Sequence, residues 1–322
     1  MNRTVVPATV AIATLDRPEG LARCVDGLLG GSVVPDEILI VDQGAAWPAD
    51  AVVADWRERH QNIRRIRQPR LGLSASRNIA LLQARNAIVA VTDDDCVPAV
   101  GWLEALMAAF ERAPEPVAVA GRVLSMPGDE AGTYAVSLRT DTAPADYTAA
   151  GIPWGIGTGA NFAVLRVAAL GLGGYDERLG AGSPGQAAED CEILLRFLQA
   201  GARIRYDPEA VICHERQPVE RRMATRWSYG YGIGALIGLY GRQRDSIALR
   251  MFARWMRVTA GRLVRAMRAR DGSRVHQALL SLGGMVCGMA YGWRAADRPR
   301  SRSASASELG RDYAIRLQPR NS

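Results

Sequence analysis

Three consecutive aspartates, Asp93-Asp94-Asp95, follow the apolar run Ile88-Val89-Ala90-Val91 after the single residue Thr92. Hard carboxylate oxygens at the end of a strand are what Mg²⁺ or Mn²⁺ needs to bridge to a diphosphate, with Asp95 or Asp93 as ligand. An acidic turn before the next helix, after Pro98, accounts for the same residues, so the triplet decides nothing alone. Other acids stand in comparable places: Thr14-Leu15-Asp16, with Arg17 next, follows Ala8–Ala13, and Asp42-Gln43-Gly44 follows Ile38–Val41. Each could equally cap a turn or a helix. Arg77 and Asn78 fall just inside a helix that starts near Ser74, where a cation and a positive helix end can meet a diphosphate. An arginine on a solvated helix face reads the same way. Glu189-Asp190 opens a helical stretch behind the loop Gly180-Ala181-Gly182-Ser183-Pro184-Gly185. A carboxylate there, facing a cleft the loop can cover, suits proton abstraction; a plain N-terminal helix charge is the bland alternative.

The elements that must position these residues alternate. Ala8–Ala13, Glu37–Val41, Ile63–Arg67 and Ala87–Thr92 read as strands, and Gly20–Leu29, Ala51–His60 and Ser74–Ala84 as helices. Such alternation predicts βαβ units and a mostly parallel α/β sheet flanked by helices, with ligands gathered at the carboxyl ends of the strands. Ser125 to Gly159, rich in Gly, Pro, Ala and Thr, reads as a long excursion over the site. Asn161–Arg166 is a further strand, Glu189–Ala200 a helix stopped by Gly201, and Ala202–Tyr206 and Ala210–Cys213 two short strands.

Several segments together resemble glycosyltransferase family 2, with its GT-A fold. Val10–Asp16 with Arg17, Leu21-x-x-Cys24-x-x-Gly27-Leu28 and Pro35-x-Glu37-Ile38-Leu39-Ile40-Val41-Asp42 look like its opening strand, helix and strand. Arg70-Leu71-Gly72-Leu73-Ser74-Ala75-Ser76-Arg77-Asn78 looks like its G-L-[SA]-x-[AS]-R-N segment. Gly159-Ala160-Asn161-Phe162, Gly173-Gly174-Tyr175-Asp176-Glu177, Glu189-Asp190 and His214 continue the series in order over about two-thirds of the chain. Gln43 and Ala45 depart from the family's V-D-D-G-S.

The resemblance implies an inverting transfer from a nucleotide-diphosphate sugar, UDP by default with dTDP and GDP behind it, assisted by Mg²⁺ or Mn²⁺. Asp42 would hold the nucleoside and Asp16 the base or ribose. Thr14, Arg17, Arg70, Arg77, Asn78, Asp93, Asp94 and Asn161 would complete the donor site. Asp95, Asp93 and His214 would hold the metal, and Asp190, with Glu189 beside it, would take the acceptor's proton. The acceptor would be a sugar or lipid-linked hydroxyl of a cell-envelope polysaccharide, glycolipid or glycoconjugate. Met223-Ala224-Thr225-Arg226-Trp227 keeps the Arg-Trp of the processive Q-x-x-R-W motif without its glutamine, so transfer of one or a few sugars is expected. Two other readings compete: a polyprenyl-phosphate sugar transferase, and a non-catalytic module binding membrane or nucleic acid.

Composition bounds the rest. Forty basic residues against 33 acidic ones give +7, every basic residue other than histidine is arginine, and most of the excess lies after residue 215. That favours phosphate-bearing or anionic partners. No specific nucleic-acid signature accompanies the arginine and aromatic residues of Arg222–Tyr231. Five scattered cysteines without a C-x-x-C pair point to a reducing, cytoplasmic setting. Val5–Leu15 reads as a strand rather than a signal core, and Ala278–Trp293 is too short and glycine-rich to span a membrane. Ser246–Arg270 suits a basic amphipathic helix, with Arg250, Arg254, Arg257, Arg265 and Arg268 on one side and Leu249, Phe252, Met256, Leu263 and Met267 on the other. Peripheral contact with an anionic membrane through this helix and Ala278–Trp293 accounts for the pattern, and so does packing of both on the catalytic domain or a partner subunit. The expected organisation is a catalytic domain over 1–218 (donor half about 1–124, acceptor half about 125–218), a basic helical region over 219–297 and a flexible tail over 298–322.

Overall fold

Residues 3–44, 56, 61–128, 131–149 and 151–300 are described in a computed structural model. The chain opens with β1 (Thr4–Thr14), α1 (Pro18–Leu29), β2 (Val33–Asp42), β3 (Ile63–Arg67), α2 (Leu73–Gln83) and β4 (Ile88–Asp93). These four strands run parallel to one another. Thr14 pairs with Asp42 and Ala13 with Asp93, so β1, β2 and β4 end level and deliver their following residues to one edge. Alternate residues of each strand enter different cores. Val10, Ile12, Ile38 and Ile40 pack with Leu21 and Val25 of α1, whereas Ala11, Leu39, Val89 and Val91 pack with Leu81 of α2. Burial on both faces is why these strands are nearly continuous apolar runs. The helix expected over Ala51–His60 lies outside the described residues except for Trp56, which is buried.

The second half adds β5 (Cys96–Pro98), α3 (Trp102–Glu111), β6 (Ala118–Ser125), β7 (Thr133–Tyr134), β8 (Ala145–Tyr147), β9 (Asn161–Leu165), α4 (Arg166–Gly171), α5 (Glu189–Gln199), β10 (Ile204–His214) and β11 (Gln217–Pro218). The nine-stranded sheet has the order β3-β2-β1-β4-β9-β6-β10-β5, with β8 also on β10. β9 enters antiparallel between β4 and β6. Where two short strands were expected after residue 202, the structure has one, with an irregularity between Asp207 and Val211. Pro208 breaks the local pattern, and Asp207 Oδ1 accepts from Glu209 N at 3.0 Å across the break.

Three helices follow: α6 (Arg222–Arg242), α7 (Ser246–Arg268) and α8 (Gly272–Ala295). Gly230, Gly234 and Gly238 of α6 face Gly284, Gly288 and Gly292 of α8 so closely that a Cβ at any of them would meet backbone of the other helix. Small residues let the two backbones approach. The buried line of α7 is Ile247, Ala248, Met251, Thr259 and Ala266, not the predicted apolar face: Leu249 and Met267 point outward, 72% and 52% exposed. Apolar residues occur nearly all round α7, so its phase is set by what α6 and α8 present. The helices are continuous with the sheet-bearing part of the chain, since Leu179, Ala188, Cys191 and Leu195 share a core with Ile233, Leu236, Met251 and Ala295. Arg178 Nη1 donates to the carbonyls of Ala295 and Arg298, both at 2.9 Å, which ties Arg298 down where a flexible tail was expected to begin. The tail from 301 onward lies outside the described residues. Among the described residues no helix is long and apolar enough to cross a membrane.

Candidate active site

The level ends of β1 and β4 bring the first group together. Thr14 Oγ1 donates to Asp94 Oδ2 at 2.7 Å, and Arg17 Nη1 reaches Asp95 Oδ2 at 2.5 Å and Asp94 Oδ1 at 3.3 Å. Burial pushes the Asp94 carboxyl up to about 6, against the Thr14 hydrogen bond and the Arg17 charge that oppose the shift. Asp16 sits at a positive φ of 55° just beyond β1 and pairs with Arg70 Nη2 at 2.6 Å on the exposed rim. Asp42 is turned inward, 1% exposed, accepting from Gly44 N at 2.8 Å and Arg65 Nε at 3.1 Å.

β5 and β10 pair antiparallel with Cys96 opposite His214, which sets the imidazole beside the aspartate triplet. His214 Nε2 lies 3.6 Å from Asp95 Oδ1, and Nδ1 lies 2.8 Å from the carbonyl of Glu215. A carbonyl only accepts, so Nδ1 carries a hydrogen, and Nε2 is the nitrogen turned toward Asp95. Cys96 completes a cluster whose ligand atoms all lie within 4.8 Å of one another, a member that sequence reasoning missed. Burial, with the Asp93 and Asp95 charges, holds its thiol well above the usual value. One carboxylate and one imidazole suit a hard or borderline divalent ion, and these residues fit Mg²⁺ or Mn²⁺.

Asp93 does not join that cluster. Its Oδ1 accepts from Arg77 Nη2 at 3.0 Å, and Arg77 also donates to Glu189 Oε1 at 2.7 Å and the Gly159 carbonyl at 2.9 Å. Instead of offering its charge to solvent, Arg77 is 3% exposed and acts as the bolt between β4, α5 and the loop before β9. Glu189 is raised to about 7 by burial and by Asp190, an effect Arg77 opposes. Asp190 remains partly exposed, accepting from Gly159 N at 2.8 Å and Cys191 N at 2.7 Å. Tyr229 of α6 stands close by: partial burial raises its phenol, the Ser137 hydrogen bond opposes this, and the Asp190 and Asp93 charges add to it.

Two predicted donor contacts are internal. The Asn78 amide is spent on Tyr175 O at 3.0 Å, Glu177 Oε1 at 2.9 Å and Tyr175 N at 2.6 Å. Asn161, 0% exposed, holds the carbonyls of Arg122 and Ala210 and accepts from Trp102 Nε1 at 2.8 Å. Both knit the scaffold beneath the cleft: Gly121 is a glycine because Asn161 fills the space a Cβ would take.

A parallel sheet with an acidic edge, extended by a second half in which β9 and β5 run antiparallel to their neighbours, defines the class. Residues 9–168 match the model of glycosyl transferase family 2, and the chain belongs to that family. A pre-mycofactocin glycosyltransferase of Mycobacterium tuberculosis is 30% identical over 245 residues, 74% of this chain and 49% of the relative. The chain thus spans about half the length of that protein. A glucosyl-dolichyl phosphate glucuronosyltransferase of Haloferax volcanii is 24% identical over 65% of this chain and 69% of its own length. Among solved structures, S. aureus TarS 1-349 superposes with a TM-score of 0.58 at 14% identity, over 96% of this chain and 89% of that one. The mannosyltransferase PcManGT of Pyrobaculum calidifontis, in complex with GDP-Man and Mn²⁺, gives 0.53 at 18% identity, over 96% and 79%. These likenesses establish the GT-A fold.

Proposed function

We propose that the chain transfers a sugar, with inversion, from a nucleotide-diphosphate donor to a hydroxyl acceptor at the edge formed by β1, β4, β10 and α5. The observation that carries this reading is the approach of His214 Nε2 to Asp95, 3.6 Å, in a chain that also keeps Asp190 partly exposed at the first turn of α5. Asp95 and His214 would hold Mg²⁺ or Mn²⁺, which when bound neutralises the diphosphate of the leaving nucleotide. Arg17 and Arg70, at the mouth, are placed to meet the donor's phosphates and ribose.

Asp190 takes the acceptor hydroxyl's proton. The acceptor oxygen forms the new bond to the anomeric carbon, and the nucleoside diphosphate leaves with the bonding pair. Arg77 and Glu189 keep the Asp190 end of α5 in register with the Asp93 end of β4. Exposed Leu249 and Trp293, which line one cavity with Arg244, support peripheral contact with an anionic membrane, as for a lipid-linked acceptor.

Thermal stabilisation by UDP-, GDP- and dTDP-sugars with Mn²⁺ or Mg²⁺ tests the donor site, because ligand binding raises apparent stability by mass action. A metal-dependent shift that Asp95→Ala abolishes is expected. No shift with any donor overturns the reading.

A further inference from the structure

A second charged region lies away from the aspartates. Tyr134 of the acceptor-side excursion, Arg222 and Arg226 of α6, and Asp271, Arg274 and Gln277 near the start of α8 line a cavity of about 450 Å³. Its positive charge is poorly matched. Asp271 is committed locally, capping α8 through Arg274 N at 3.0 Å and pairing with Arg274 Nε at 3.1 Å. Arg222 lies over the Tyr134 ring at 4.9 Å, and Arg226 Nε donates only to the neutral Gln277, at 3.3 Å. Among the described residues neither arginine pairs with a carboxylate. Arg262 of α7 adds a further guanidinium, held below arginine's usual range by partial burial and by the Arg226 and Arg265 charges beside it.

Among the described residues the buried arginines are each matched: Arg77 by Glu189, Arg178 by Asp176, Arg196 by Glu192 and Arg205 by Asp146. Like charges brought together without a counter-charge cost stability, and a bound oxyanion with several acceptor oxygens removes that cost.

The position of the cavity says which anion. Arg222, Arg226 and Tyr229 share one face of α6, spaced i, i+4 and i+7, and span two helical turns, about 10 Å. At the upper end of that face the Tyr229 hydroxyl lies 3.3 Å from Ser137 Oγ and within electrostatic reach of Asp190. An acceptor laid along it would place an anion among the arginines and a hydroxyl near Asp190.

We propose that this cavity binds a phosphate group of the acceptor, which is therefore a phosphate-bearing glycoside whose reacting hydroxyl lies on a sugar and whose phosphate is held by Arg222 and Arg226. This rests on the transferase reading above. Neither Asp190 nor any of the three consecutive aspartates lines this cavity, which separates it from an acceptor whose phosphate oxygen is itself the nucleophile.

The test uses the metal-free full chain with glucose 1-phosphate, geranyl phosphate and, as control, glucose. Phenylglyoxal labelling mapped by mass spectrometry should show Arg222 and Arg226 protected by a phosphate and not by glucose. Stronger protection by glucose 1-phosphate identifies a soluble glycosyl phosphate as the source, and by geranyl phosphate a lipid phosphate. By titration calorimetry, Arg226→Gln should weaken phosphate binding about tenfold, one charge-assisted hydrogen bond's worth, with Arg226→Lys intermediate. Donor-induced thermal stabilisation should be unchanged in both variants. Absent protection, or equal phosphate affinity in Arg226→Gln and the parent, overturns the site. Protection together with no stabilisation by any nucleotide sugar leaves an anion site but sinks the transferase reading, and the acceptor role with it.

Discussion

Asp190 and Glu189 are adjacent in sequence yet inhabit different surroundings. Asp190 keeps a partly exposed carboxylate with one backbone N–H on each oxygen, whereas Glu189 is 6% exposed and bonded to Arg77. Their substitutions should therefore separate. Asp190→Asn should lower turnover by about 10²–10⁴-fold, the usual contribution of a positioned base, while donor-induced thermal stabilisation survives. Equal loss of donor binding would refute the division of roles. For Glu189 the readout is stability. Its carboxyl titrates near 4.5 when free and at about 7 when folded, so between those values the folded chain binds more protons than the unfolded one. Stability from this residue is therefore lost as pH rises across that window. Denaturant titrations at pH 5 and pH 7.5 should show the decline in the parent and a flatter dependence in Glu189→Gln.

At the scale of elements, strand register and helix spacing decide what meets. The level pairing of β1 with β2 and β4 makes three separate loops into one edge, and β5 opposite β10 adds His214 to it. The α6–α8 contact is the other determinant, because its glycines set the distance between the backbones. A Cβ at Gly288 would collide with the Tyr231 carbonyl, an atom that cannot swing aside as a flexible side chain does. Gly288→Ala should cost about 1–3 kcal/mol of stability, as overpacking does. A melting temperature within error of the parent would show that the helices can part without penalty.

Across the whole molecule, the three C-terminal helices and the loop preceding α5 are held as one body. Arg178 is the link: it is 8% exposed, pairs with Asp176 at 2.6 Å and reaches the carbonyls that end α8. Arg178→Ala leaves Asp176 buried without its counter-charge and should cost about 3–5 kcal/mol. Limited proteolysis should then cut within 295–300 before the sheet is attacked. Unchanged protection there would mean that the helices are retained by their apolar core alone.

Much of this could be read without coordinates. Apolar runs alternating with helical periods specify a parallel sheet, and acids directly after those runs specify an edge where ligands gather, because both are local consequences of which side chains can be buried. Asp16, Asp95, Asp190 and His214 are legible as residues at the ends of elements for the same reason. Arg77, Asn78 and Asn161 were not: each belongs to a motif, but whether it faces the cleft or the scaffold depends on partners tens of residues away, Glu189, Tyr175 and Trp102 among them. The phase of α7 was lost similarly, since a helix with apolar residues on several sides is oriented only by the neighbours that cover it. Sequence determined the elements and the chemistry available at their ends; tertiary packing decided which charges are neutralised internally and which, as at Arg222 and Arg226, are left facing a cavity.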